Sequence, residues 1–448
     1  MTLLSSPAIR SFAARAFYSR DLRKSAFGFI VQITGKALAL VAVFIMTHVL
    51  SQEDYGVFAY ARSWVLVLGP LTTFGLGYAT YRFLPQYMAA GNLAEANGFL
   101  WASVLVSGAV SLGLAAVQSL LYGAGFDLFP PGYGATMTAM IWAVPAAALM
   151  QVLRFTAQAA GQVGAAFVPY FVVVPALQCI GLLGLAAAGE LSLVTAVATF
   201  LVANLVALAL AGGFTIGAWN RAMGFRRPRF LMREWVGVSL PITVSSIATV
   251  INQQADLIMV GSMLTAKDAA LYSIGMSLSW LVSMICLSVS AVFVPRISAN
   301  ISQGNRANTI RLLRRSSLIF FFPALGVVAL FFLGGPLFLS IFGAAYVGAY
   351  AVMCLLSLSE LTVAASEPSG HLMNVAGHHN ANTLVVVVGA VVNIGLNLIL
   401  TPRFGIEGAA LATLLSTIGW TTARVILSYR YLGLVSGVYG WVIPPRRH

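Results

Sequence analysis

Five basic residues, Lys36, Arg62, Arg82, Arg154 and Arg424, fall within or at the edge of stretches that otherwise read as hydrocarbon. Lys36 interrupts ITGKALALVA, inside an apolar run from Ala26 to Leu50. At 1.5 Å rise per residue it lies about 15 Å from the start of that run, deeper than a lysine stem can fully escape by snorkelling. A charge near the bilayer centre costs about 2.5–3.5 kcal/mol on insertion scales, so it calls for a wet cavity or a partner. Gln151, Arg154 and Gln158 follow at i, i+3, i+7, one face of a helix, and suit a cavity wall. For Arg82, Arg154 and Arg424 the alternative is snorkelling to headgroup phosphates at the membrane edge.

Polar stripes recur later in the chain. Ser245, Thr249, Asn252 and Asp256 share one helical face, and Glu360, Glu367, His371 and Asn374 are expected to share another. Such acids could pair with Lys36 and Arg62, bind a proton or sodium ion, or act as static glue between helices; all three readings stand. Asn393 and Asn397, at i and i+4, read as hydrogen-bonding groups between helices. Tyr60, Trp64, Tyr78 and Tyr81, with Tyr272 and Trp280, could stack on sugar rings, although interfacial belts are the commoner use of such residues. Phosphate-cradling GxxxxGK[ST] loops, HExxH and acidic metal-holding clusters do not occur, so ATP-driven transport and metal-dependent glycosyl transfer are not expected, and no metal ligands are assigned.

Positioning these residues requires a membrane. Of 448 residues, 59% are hydrophobic and 8% charged, and mean hydropathy is +0.90, which is too apolar for a water-soluble core. Twelve spans are expected, at residues 26–50, 57–83, 96–121, 134–158, 165–188, 191–216, 235–263, 269–293, 316–341, 346–373, 381–400 and 407–431. The loops alternate in charge. Eighteen of 25 basic residues fall in the N-terminal tail, the loops after spans 6 and 8 and the C-terminus, whereas the opposite loops carry only Lys267 and Arg403 among several acids. The positive-inside rule then places both termini in the cytoplasm. The net charge of +13 therefore has a topological origin and does not call for nucleic acid. Residues 1–25 read as a basic amphipathic tail on the membrane surface rather than a secretory signal. Cys179, Cys286 and Cys354 lie inside spans and read as small apolar fillers.

The halves echo each other. LSQEDYGVFAYA, from Leu50, returns as LTAKDAALYSIG, from Leu264, and FLPQYMAAGNLAEANGFL, from Phe83, returns as FVPRISANISQGNRANTIRLL, from Phe293. The expected architecture is all-α, with two six-helix bundles (26–216 and 235–431) related by a parallel pseudo-two-fold repeat. A basic cytoplasmic linker (217–234) joins them and a cytoplasmic tail (432–448) follows. Transporters use such paired halves, with the site between them.

The stretch from Leu50 to Tyr87, followed by AAGNLAEANGFL, resembles the first-loop and second-helix region of bacterial polysaccharide flippases. These form the O-antigen-flippase branch of the multidrug/oligosaccharidyl-lipid/polysaccharide exporter superfamily. The resemblance implies a V of two bundles around a central cavity in the bacterial inner membrane, and alternating access that carries undecaprenyl-diphosphate-linked oligosaccharide to the periplasmic leaflet. On that reading Lys36, Arg62, Arg82, Arg154 and Arg424 are expected to meet the pyrophosphate. Tyr60, Trp64, Tyr81, Gln151, Tyr272 and Trp280 are the expected sugar contacts, and Asp256, Asn252, Glu360 and Glu367 the ion-coupling candidates. No cofactor beyond a proton or sodium gradient is implied. Membrane lipid and the lipid-linked glycan are the expected partners, with a polysaccharide polymerase and a chain-length regulator beside them. The alternatives are a multidrug or small-cation antiporter using the second-half acids, and a non-transporting scaffold whose basic loops dock a synthesis complex.

Overall fold

The computed structural model describes the backbone of residues 7–223 and 227–443, and their side chains except for residues 7–25, 221–223, 291 and six positions between 238 and 245. Every regular element among the described residues is helical. The first half comprises α1 (Pro7–Val49), α2 (Gln52–Thr72), α3 (Leu76–Ala90), α4 (Leu93–Gly123), α5 (Gly134–Met140), α6 (Ala143–Ala159), α7 (Val163–Val168), α8 (Val174–Ala187) and α9 (Leu193–Met223). The second comprises α10 (Met232–Met263), α11 (Ala266–Ser302), α12 (Arg306–Ser340), α13 (Tyr350–Ser366), α14 (Ser369–Val375) and α15 (His379–Leu432). Within the first half α6 packs against α2, α3, α4 and α9, and α8 against α1 and α9; within the second, α11, α12 and α13 pack together and α15 lies against α10 and α13.

The echoed stretches adopt the same local geometry. Ser51 caps α2 by accepting from the Asp54 amide (3.0 Å), and Thr265 caps α11 by accepting from the Asp268 amide (3.2 Å) in a full capping box. One span later, Gly91 and Gly304 each turn left-handed, with φ of 73° and 68°, and Asn92 and Asn305 stand at the starts of α4 and α12. A residue with a Cβ would be strained at either glycine.

Among the described residues nine helices are long and apolar enough to cross a membrane, or ten with the bent pair α2–α3 taken as one span. The expected twelve segments are all present as helix. The 54-residue α15 is broken by a non-helical Gly405 (φ 61°, ψ −143°) between the two segments expected there. Helix α10 has the length of a span, and its run Asn252, Gln253, Gln254 and Asp256 lowers its hydropathy.

Several spans differ from the uninterrupted helices expected. Span 2 breaks between α2 and α3 with a 41° bend, where Pro70 removes a donor and Phe74 and Gly75 turn to positive φ (46° and 71°). Span 5 loosens into a π turn over Pro169–Val173, flanked by Pro169 and Pro175. Span 10 ends as a helix at Ser366 and restarts at Ser369 around Pro368, so Glu360 and Glu367 do not share a helical face; Glu367 is extended (φ −65°, ψ 144°). The amphipathic character expected of residues 1–25, and Arg446 and Arg447, lie outside the described side chains.

The halves meet along two seams. At the Ser51/Thr265 end, the Tyr55 hydroxyl shares a hydrogen bond with Ser273 Oγ (3.1 Å) and Tyr60 with Ser262 Oγ (3.0 Å). There α2 also runs so close to α11 that a Cβ on Gly56 would overlap the Ala266 carbonyl. At the other end the start of α10 is anchored on the first half. Trp235 Nε1 donates to the Tyr87 hydroxyl (3.0 Å), the Trp235 ring stands edge-on to Phe99 (5.3 Å), and the Arg229 amide donates to the Ala94 carbonyl (3.0 Å).

Candidate functional site

Two chambers open between the halves, with volumes of about 820 and 460 Å³. Both are lined by α1 and α11, the smaller reaching the Tyr55–Ser273 pair of the Ser51/Thr265 seam, and Lys36, Phe171 and Trp280 belong to the walls of both. The Lys36 ammonium sits 3.7 Å from the Trp280 ring centroid. A cation can rest there without a carboxylate because the ring face is electron-rich.

The smaller chamber, on the first-half side, is lined by Lys36, Arg62 and Arg154, and among the described residues no Asp or Glu lines it. Among the described residues no ion pair joins these three cations to a carboxylate. Arg154, projecting from α6, is wrapped by rings: its guanidinium carbon is 4.7 Å from the centroid of Phe155, 4.8 Å from Tyr170 and 5.8 Å from Phe171. Gln151 lines the same space and is 5% exposed.

The larger chamber, on the second-half side, gathers the acids. Asp256, Asn252, Tyr272, Glu360, Glu367, His371 and Arg424 all line it. Asp256 is held in place, because Asn397 Nδ2 donates to its Oδ1 (2.8 Å) and the Thr413 hydroxyl to its Oδ2. Asn393 Nδ2 in turn donates to Ser416 Oγ (3.3 Å). Asn252 Nδ2 donates to the Val386 carbonyl (3.3 Å). Glu367 shares this wall with His371 and Arg424, and the Arg424 guanidinium lies over Trp420 at 4.5 Å.

Four expected site residues are not brought to either chamber. Arg82 is exposed midway along α3, one turn beyond Tyr78 and 6.0 Å from the Phe83 ring. Tyr60 is 1% exposed and packs edge-on to Tyr133 (5.0 Å) in the core. Trp64 packs against Tyr60 and Phe129 (6.5 and 6.0 Å). Tyr81 is exposed, with its hydroxyl donating to Gln158 Oε1. Conversely, Tyr170, Gln178, Asn204 and Gln254 line the smaller chamber and Trp420 the larger without having been singled out as binding candidates, and Tyr78, one of the possible sugar-stacking rings, lines the smaller chamber as well. Only the polarity of Gln178 and Asn204 within apolar runs could have flagged them.

Solved structures share this fold. An inward-facing multidrug-resistance MATE family transporter of the MOP superfamily aligns over 90% of this chain and 97% of its own, with a TM-score of 0.73 at 14% identity. The lipid II flippase MurJ in an inward closed conformation aligns over 90% and 87%, with a TM-score of 0.68 at 14% identity. An uncharacterized membrane protein of Methanocaldococcus jannaschii is 27% identical over 192 residues, which are 40% of this chain and 42% of that relative. Residues 22–301 match the family described as polysaccharide biosynthesis protein, well over half of a multi-pass membrane chain, and the protein belongs to that family.

Proposed function

We propose that the protein is a secondary-active flippase that moves an undecaprenyl-diphosphate-linked oligosaccharide from the cytoplasmic to the periplasmic leaflet of the bacterial inner membrane. Both termini would be cytoplasmic and the two halves would rock about the chambers in alternating access. The observation that carries this reading is the smaller chamber, with three cations and no acid in its wall. A diphosphate leaving water loses its hydration, and fixed cations in a low-dielectric site replace it. Family membership and the shared fold of MurJ and MATE proteins support transport rather than catalysis. The Asp256–Asn397–Thr413 cluster is the proposed coupling site for a proton or sodium ion.

The test is polysaccharide export in a strain deleted for the gene. Lys36→Met and Arg62→Gln, expressed at wild-type level, are expected to lose surface polymer, and the purified double variant to lose flipping in proteoliposomes. Normal polymer from both variants refutes the reading.

The larger chamber, with Asp256, Glu360 and Glu367 in its wall, favours a second reading, an antiporter for organic cations. Drug sensitivity on deletion with surface polysaccharide intact would select it.

A further inference from the structure

The smaller chamber holds more positive charge than a diphosphate needs. A diphosphate diester carries two negative charges, and Lys36 and Arg62, which line the same wall, match them. Arg154 is the third cation. It stands in its own box of rings, beside Tyr78 as well as Tyr170, Phe155 and Phe171, and its Nε is buried without a hydrogen-bond partner. A buried, charged donor left unmade is unfavourable, so the box is suited to a group that accepts from it. Gln151, Gln178, Asn204 and Gln254 line the same chamber, each less than one-tenth exposed, and Gln178 Nε2 also lacks a partner. Amides that both donate and accept suit sugar hydroxyls, and tyrosine faces suit the apolar C–H face of a pyranose.

We propose that this box is a subsite for an acidic sugar, a hexuronate close to the diphosphate, whose carboxylate sits on the Arg154 guanidinium while its ring lies against Tyr78 and Tyr170. The planar fork of arginine meets a planar carboxylate through two parallel hydrogen bonds, which a lysine at this position could not do. The inference rests on the flippase reading and narrows its substrate from any lipid-linked glycan to one bearing a carboxylate near the reducing end.

The experiment measures binding of two short-chain polyprenyl-diphosphate disaccharides to the purified full-length protein in lipid nanodiscs. The two probes differ only in whether the second sugar is glucuronate or glucose. The wild type is expected to bind the glucuronyl probe at least tenfold more tightly. Arg154→Gln is expected to abolish that preference, Arg154→Lys to restore part of it, and Gln178→Ala to weaken both probes. Equal affinities in the wild type, or a preference that survives in an Arg154→Gln protein of unchanged melting temperature, overturn the subsite. If neither probe binds, the flippase reading falls as well, which separates the two failures.

Discussion

Substituting Gly56 tests the seam that alternating access would have to open. Gly56 on α2 faces the Ala266 carbonyl in the first turn of α11, and any Cβ there would overlap that carbonyl. The carbonyl cannot swing aside, because its turn is fixed by the Thr265–Asp268 capping box. Helix α2 must therefore move away, breaking the Tyr55–Ser273 and Tyr60–Ser262 hydrogen bonds, each worth about 1 kcal/mol net. Overpacking of this kind costs about 1–3 kcal/mol. At about 1.4 kcal/mol per factor of ten, Gly56→Ala is expected to shift the closed–open equilibrium of the seam by roughly 5- to 150-fold, and Gly56→Leu further. Glu53 and Lys267 are exposed on either side of the seam. Spin labels on cysteines placed there, with the three native cysteines replaced by alanine, report the gap by double electron–electron resonance. The expected result is a new, longer distance population that grows from Ala to Leu. A folded, monodisperse Gly56→Leu protein with the wild-type distance distribution would show that this contact does not hold the seam.

Other substitutions separate structural from functional parts. Trp235 is fully buried, donates to Tyr87 and packs on Phe99, so Trp235→Ala should lose about 3–5 kcal/mol and markedly lower the melting temperature in detergent. The nearby Arg229–Glu95 pair involves an arginine side chain 69% exposed; Glu95→Gln should change stability by about 0–1 kcal/mol and leave the melting curve nearly unmoved. Asp256→Ala takes an acceptor from Asn397 and Thr413; Thr413 can still donate to the Ala409 carbonyl (3.2 Å), so the cost is about 1–3 kcal/mol in all, and a thermal-shift assay should show a larger fall than for Asp256→Asn.

How legible was this protein in its sequence? The helical, multi-pass architecture followed from composition, and the repeat from two short echoes. The echoes were readable because they are backbone instructions: Ser51-x-x-Asp54 and Thr265-x-x-Asp268 cap helices, and Gly91-Asn92 and Gly304-Asn305 reverse the chain. Lys36, Arg62 and Arg154 were readable because a charge in hydrocarbon demands a reason. The sugar-contact candidates were less legible. Tyr60 and Trp64 look like Tyr78 in sequence, yet α2 turns them into the core while the bend at Phe74–Gly75 presents Tyr78 to the chamber. The bend is a local event that the helical period cannot report, and a register carried across it assigns the wrong face. Glu367 shows the opposite case. The helix expected to carry it ends at Ser366, yet it reaches the same chamber as Glu360 through the extended link to α14.

The segregation of charge between the chambers bears on how ion and cargo would be coupled. The acids Asp256, Glu360 and Glu367 line one chamber, Arg62 and Arg154 the other, and Lys36 belongs to both walls. Its ammonium rests on Trp280, an attraction of about 0.5–2 kcal/mol. A charge-assisted hydrogen bond to a diphosphate, about 1.5–3 kcal/mol, is strong enough to draw it off. In the proposed cycle, a head group in the smaller chamber therefore withdraws positive charge from the larger one, and a proton or sodium ion arriving there replaces it. Linkage makes the effect reciprocal: the cation that replaces Lys36 must tighten head-group binding by the same factor as the head group tightens cation binding. Measuring the affinity of a polyprenyl-diphosphate sugar across a sodium series, and separately a pH series, should reveal the coupling ion. Lys36→Met keeps the stem and removes the charge, so its residual binding should be weaker and nearly independent of that ion. If Lys36→Met binds weakly yet keeps the full wild-type ion dependence, Lys36 belongs to the cargo site alone and the coupling runs by another route.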